Sequence, residues 1–345
     1  MSMPARRIPF QVLESCILET LERRGVAPED GRVTARVLLE AEARGYPAQG
    51  VRRVAEICAF LDRGNLSPRT AFERLEPAPA LRVFRCEAAL GHPVAVQAAD
   101  AAAALARSYG VGCVAVLGAG HIGYLTHYAE RAAAETGVFC FVTTTSSPAV
   151  SWPGAGTPLL GTNAMAYAFP LGDGVLCADF ATAEVARGDV LERLQAGARF
   201  DRDVGSGPDG EPSRDPAEIL RGGILPMGGH RKGALISLLL STLAGPLVGG
   251  VPNHEVLGTR WPDARPNKTD FFLALDIAAF GDPEAFQIKM RGLLDALAGS
   301  SPDFHVPGRH SRVRWDEALR EGFEETADLR DLLALASARS DARLE

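Results

Sequence analysis

The stretch Val114–Gly123, VAVLGAGHIG, is the strongest constraint on how this chain folds. A run of small and β-branched apolar residues opens directly into a turn with three glycines, so it reads as a strand ending where backbone must come close to a neighbour. Gly118, Gly120 and Gly123 satisfy G-x-G-x-x-G, a turn able to present backbone N–H groups and a helix N-terminus to a pyrophosphate. His121, at its centre, admits other chemistry: it can supply a proton near neutral pH, or simply cap backbone groups.

The flanking pattern sets the fold class. From Phe10 to Leu61 the apolar spacing is helical, Leu81–Cys86 reads as a strand, and Val94–Arg107 as a helix whose alanines suit close packing. Val111–Leu117 and Val138–Thr143 are strands flanking a helical segment; Ala164–Pro170, Val175–Phe180 and Phe271–Ile277 are further strands. After Pro283 the spacing is helical again. The expectation is an α/β chain in three parts: a largely helical lobe over 1–110, a cofactor-binding α/β domain over 111–283, and helices over 284–345 packing back on the first lobe. Residues 197–216, rich in Gly, Pro and Asp, read as an exposed excursion.

With 345 residues, 46% of them apolar, the chain can bury a sizeable core. The net charge of −7, with Lys and Arg scattered, disfavours nucleic acid as a partner. The six cysteines are far apart with no C-x-x-C pair, as expected of reduced core residues in a cytoplasmic protein. Glu14 and Glu19 interrupt the apolar run that an export signal would need. Gly233–Val251 approaches the ~20 apolar residues of a membrane span. Gly245-Pro246 breaks it, so Ala234–Ala244 is expected as a helix buried all round and no membrane partner is expected. His127 lies off the helical face of His121, and no metal site is expected.

A dinucleotide fingerprint calls for an acidic residue about 20 positions after the glycines. The chain has Thr143–Ser147 there instead, hydroxyls that lean slightly to NADPH under that geometry.

Several ordered segments resemble the malate/L-lactate dehydrogenase family, which includes sulfolactate and ureidoglycolate dehydrogenases and piperideine-2-carboxylate reductases. They are Leu39–Arg53, His121-Ile122-Gly123 with Tyr128, Ser147–Val150, Leu160–Pro170, Asp179–Gly188, Gly210–Pro216 and Gly228–Leu235. The resemblance implies a three-layer α/β fold with a mixed central sheet, distinct from the Rossmann fold, and a homodimer with nicotinamide sites near the subunit interface. It implies that His121 exchanges the proton at the substrate oxygen or nitrogen, and that Arg53 anchors the carboxylate of a small-molecule substrate. Tyr46 and Gln49 are expected beside that substrate. Gly123, Thr145, Gly161, Thr162, Asn163, Asp179, Ala181, Thr182, His230, Lys232 and Gly233 are expected around NAD(P)H.

The chain departs from the family where a histidine-aspartate-serine-histidine-glycine motif is usual, reading Tyr46-Pro47-Ala48-Gln49-Gly50. Gln49 can hydrogen-bond but cannot change charge near neutral pH. Thr145, Ala183 and Arg231 also replace family residues. Two outcomes follow: the same His121 chemistry on a changed substrate, or an idle homologue that binds a nucleotide or a partner protein.

Overall fold

The computed structural model describes residues 6–258 and 262–337. The helices, in chain order, are α1 (Phe10–Glu22), α2 (Pro28–Arg44), α3 (Arg53–Asp62), α4 (Gly91–Tyr109), α5 (Thr126–Thr136) and α6 (Arg187–Gln195). There follow α7 (Pro216–Gly222), α8 (Arg231–Leu243), α9 (Ile277–Phe280), α10 (Pro283–Ser300), α11 (Arg309–Glu321) and α12 (Ala327–Ser337). The strands are β1 (Arg7–Ile8), β2 (Phe72–Ala78), β3 (Leu81–Cys86), β4 (Val111–Leu117), β5 (Val138–Thr144), β6 (Val150–Ser151) and β7 (Pro158–Leu160). Then come β8 (Met165–Leu171), β9 (Gly174–Phe180), β10 (Gly205–Ser206), β11 (Pro212–Ser213), β12 (Gly223–Ile224), β13 (Thr269–Asp276) and β14 (Phe323–Glu324).

The central sheet runs β2-β3-β4-β13-β5-β8-β9. Within it β3 and β4 are parallel, and every other neighbouring pair is antiparallel. The late strand β13 is inserted between β4 and β5, with Phe272 opposite both Val114 and Val142. A Rossmann sheet is parallel throughout this region, so the pyrophosphate reading of the glycine turn does not hold. Nor does a helix open at the turn: residues 119–125 are irregular until α5 begins at Thr126.

Val114, Val116, Cys140, Val142, Ala166 and Ala168 point to one face, where α4 and α5 pack side by side. Ala98, Ala99 and Ala102 of α4 are fully buried, and their small side chains let the helix lie close on the sheet. A second core joins α1, α2 and α3 to α11 and α12 through Leu13, Ile17, Leu38, Trp315 and Leu332. The third, around Val150, Phe200, Val204 and Ile224, belongs to a small sheet of order β11-β10-β12-β6-β7.

Three expectations need correction. The segment 197–216 is not wholly exposed: Val204–Gly207 is buried and β10 pairs with both β11 and β12. The boundary drawn at 110 cuts through the sheet, since β2, β3 and α4 precede it. The strand β2, FERLEPA, escapes periodicity because it is a charged, exposed edge strand with a proline. Finally, α8 is not buried all round: Ala234, Ser237 and Leu240 face inward while Leu235, Leu238 and Leu239 are exposed. Of the C-terminal helices, α11 and α12 pack on the N-terminal core, whereas Phe286 of α10 sits against Phe169 of β8. The expected C-terminal part extends past the described residues beyond 337.

A buried charge network joins α2 to α5. Arg44 makes a bidentate pair with Glu130, both bonds at 2.9 Å, and also contacts Glu40 at 2.6 Å. Breaking one partner of a buried pair leaves the other charge uncompensated. Glu130→Ala is therefore expected to lower unfolding stability by about 3–5 kcal/mol. Glu135→Ala, at an exposed pair with Arg131, should cost less than about 1 kcal/mol in the same urea titration.

Candidate active site

The glycine turn after β4 is held from several sides by backbone hydrogen bonds. Gly118 N–H donates to the Lys268 carbonyl at 2.9 Å, and Gly120 N–H donates to the Ala89 carbonyl at 2.8 Å. The Tyr128 hydroxyl donates to the Ile122 carbonyl at 2.5 Å. At the start of α4, Gly91 lies against the turn so closely that a Cβ there would sit 2.3 Å and 2.4 Å from the carbonyl oxygens of Gly120 and His121. Only glycine permits that approach.

His121 is oriented by the same turn. Its Nδ1 accepts the Gly123 N–H at 3.0 Å, and Gly123 takes a left-handed φ of +73°. A neutral ring accepting at Nδ1 carries its proton on Nε2. Burial, reinforced by Arg53, His92 and Lys268, holds the imidazole well below its ordinary range, so it is neutral at pH 7.

Arg53, at the start of α3, lines the same narrow cavity as His121. Its Nε donates to the Ala48 carbonyl at 2.8 Å, and Nη1 donates to Glu56 at 2.5 Å. The other walls are mostly apolar, including Ile57, Phe60, Leu66 and Leu90. The two residues expected to anchor and protonate a substrate are thus brought together. Glu56, His92 and Lys268 were not singled out from sequence. His92 is fully buried with both ring nitrogens unpartnered among the described residues, and burial, with His127, Lys268 and Arg53, pushes it down to about 3. Lys268 is buried on both carboxylate oxygens of Asp270, at 2.5 and 2.6 Å.

Tyr46 is placed elsewhere. It stacks on Tyr124 and lines a different cleft of about 490 Å³ with Asp179 and Arg314, rather than the cavity of His121. Gln49 is half-buried, with Oε1 enclosed and unpartnered among the described residues.

Several residues expected at the cofactor make hydrogen bonds within the frame. Asn163 is fully buried; its amide donates to Asn253 and Ser237, and its oxygen accepts from Asn253. Thr145 bonds the Thr269 backbone, and the Thr182 hydroxyl donates to the Thr162 and Asn163 carbonyls. Asp179 accepts from Leu125 N–H, Thr126 N–H and the Thr126 hydroxyl, and so caps α5. These four side chains therefore have hydrogen-bond partners inside the protein.

The remaining expected positions have different surroundings. Thr162 is half-buried with its hydroxyl 3.1 Å from that of Ser146, next to Gly161, and Ala181 is also half-buried. His230, Arg231 and Lys232 are exposed at the start of α8, where no side chain caps the helix and Gly233 is buried. Uncapped N–H groups beside basic side chains fit phosphate groups. Gly123 borders His121 and keeps the turn open.

Asp179 carries a pH signature. Burial pushes its carboxyl up to about 6 despite the hydrogen bonds it accepts. The folded value lies above the unfolded one, so this group's stabilising contribution is present at low pH and lost as pH rises through about 6. Asp179→Asn can accept the same N–H bonds without the charge. It should raise Tm over the native protein at pH 7.5 and leave it nearly unchanged at pH 4, as read by calorimetry.

Comparison with known proteins gives consistent matches. The family model for malate/L-lactate dehydrogenase matches residues 8–333. L-sulfolactate dehydrogenase of Methanocaldococcus jannaschii is 33% identical over 315 residues, 89% of this chain and 90% of that protein. Its solved structure superimposes with a TM-score of 0.88 at 30% identity, covering 96% of this chain and 97% of that one. Δ1-pyrroline-2-carboxylate reductase of Ancylobacter novellus is 31% identical, covering 84% and 85% of the two chains. The NADP(+)-dependent (2R)-3-sulfolactate dehydrogenase of Chromohalobacter salexigens is 30% identical over 81% and 83%.

Proposed function

Because the chain belongs to the malate/L-lactate dehydrogenase family, we propose that it is an NAD(P)H-dependent reductase of a C=O or C=N carbon adjacent to a carboxylate. The observation that carries this reading is the shared cavity of Arg53 and His121. A nicotinamide cofactor supplies the hydride to the substrate carbon, and a proton goes to the oxygen or nitrogen. Arg53 offers a planar guanidinium to the carboxylate. His121, with Nδ1 held by Gly123, directs Nε2–H at the heteroatom that gains negative charge. The substrate's negative charge offsets the cations that keep the imidazole neutral. The proton taken up with the substrate then balances the reaction: C=X plus NAD(P)H plus H⁺ gives HC–XH plus NAD(P)⁺.

The exposed basic start of α8 would receive the phosphates through His230, Arg231 and Lys232, and the NADP(+)-dependent relative favours NADPH. Six cysteines with no disulfide among the described residues fit the reducing cytoplasm, and the net charge of −7 fits a small-molecule enzyme rather than a nucleic-acid binder. The exposed face of α8, with Leu235, Leu238 and Leu239, is read as a contact with a second copy of the chain rather than with a membrane. With the turn that follows, Arg231–Val248 reaches 18 residues, the lower end of span length, but Gly245-Pro246 ends the α-helix after 13.

His121→Ala is expected to lower kcat by about 10²–10⁴-fold in a cofactor-oxidation assay. The idle-homologue reading, motivated by Ala48-Gln49, predicts that neither the native protein nor this variant turns over any 2-oxo or cyclic imino acid. Leu239→Arg should convert a dimer to a monomer in analytical ultracentrifugation; an unchanged sedimentation coefficient would remove α8 from the interface.

A further inference from the structure

The two groups of relatives differ in what they must hold. Sulfolactate and malate carry a second acid group, whereas pyrroline-2-carboxylate carries one carboxylate on an apolar ring. The cavity beside His121 has features that distinguish these classes. We infer that it selects substrates with a single carboxylate and an apolar remainder, and that Glu56 is the residue that excludes a second acid group. The inference rests on the reading of Arg53 as the carboxylate anchor.

The argument begins with the charges in the cavity. Among its described lining residues Arg53 is the one fixed cation, and it already faces Glu56 at 2.5 Å on the same helix. The nearby cation Lys268 is held by both oxygens of Asp270 and is buried with it. A monocarboxylate brings one negative charge to Arg53. A dianion would bring a second with no further cation among the described lining residues to receive it, beside the Glu56 carboxylate and against Ile57, Phe60, Leu66 and Leu90. Burying an unpaired charge in such surroundings is costly, whereas an alkyl or ring substituent gains from the same walls.

Space points to the same residue. With Glu56 on Arg53 the cavity has about 20 Å³ free, room for about one water. An entering carboxylate that takes both terminal nitrogens of Arg53 displaces the Glu56 carboxylate from Nη1. The Glu56 side chain is 46% exposed and that of Arg53 20%, so Glu56 stands at the mouth and can swing to solvent. It then remains at the entrance as a negative charge, partly screened by water, which makes it a specificity-determining residue rather than a catalytic one.

The test compares the native protein with Glu56→Gln and Arg53→Gln, using NADPH, two monoanions (2-oxobutanoate and Δ1-pyrroline-2-carboxylate) and two dianions (oxaloacetate and 3-sulfopyruvate). The native protein should favour the monoanions in kcat/KM by at least about tenfold, equivalent to one pair-charge interaction of modest strength. Glu56→Gln should lower KM for all four acids, and most for the dianions, narrowing the gap with kcat little changed. A native preference for dianions overturns the inference. So does a Glu56→Gln variant whose KM rises, because Glu56 would then be orienting Arg53 rather than competing for it. Arg53→Gln separates the two readings: if it leaves KM unchanged for every acid, the anchor assignment fails. If no acid turns over, calorimetric binding of 2-hydroxybutanoate and malate to the protein with NADP⁺ reads the same discrimination without catalysis. Tighter binding of 2-hydroxybutanoate, lost in Arg53→Gln, supports the selection, and equal or tighter binding of malate overturns it.

Discussion

The site depends on a place where two backbones touch. Gly91, in the first turn of α4, lies against the carbonyls of Gly120 and His121, and any side chain there would occupy the same space as those oxygens. Helix α4 is itself pressed to the sheet by its buried alanines, so the packing of the central core is transmitted directly to the turn. The Lys268 carbonyl, just before β13, receives the Gly118 N–H from the other side. A strand from late in the chain and a helix from early in it thus hold His121 between them.

That arrangement has an electrostatic consequence. The groups that surround His121 are Arg53, His92 and Lys268, contributed by α3, α4 and the approach to β13. Burial of the ring, with the charges of Arg53 and Lys268, favours the neutral imidazole, and the Gly123 N–H occupies Nδ1. No flexible loop is needed to choose the tautomer, because the backbone that shapes the turn also selects it. On the proposed reading, an anionic substrate is the counterweight to such a field.

Much of this was legible in the sequence where the signal is local. Strands β3, β4, β5, β8, β9 and β13 fall where apolar runs predict them, and α4 where its alanines do. The edge strand β2 was not legible, because exposure removes the alternation that marks a strand. Burial of Val204–Gly207 depends on pairing with β11 and β12, which glycine-rich composition does not reveal. At the site, His121 and Arg53 could be named from motifs, and Glu56 lies three residues after Arg53, a helical neighbour that spacing alone could have flagged. His92 and Lys268 could not, since they meet His121 only through the tertiary fold. Polar residues such as Asn163, Thr145 and Asp179 look the same in a sequence whether they bind a ligand or complete a hydrogen-bonded frame.

The departure at Tyr46–Gly50 takes its meaning from this geometry. Ala48 supplies a carbonyl that receives Arg53 Nε at 2.8 Å, so the altered turn still positions the guanidinium through its backbone. Tyr46 is turned away into the neighbouring cleft, and the enclosed oxygen of Gln49 can accept a hydrogen bond but exchange no proton near pH 7. The substitutions therefore remove titratable chemistry from this turn while leaving the contact that places Arg53. On the proposed reading, proton transfer then falls to His121 and the role left to the turn is shaping and orienting, the pattern expected where a substrate changes while the hydride chemistry is retained.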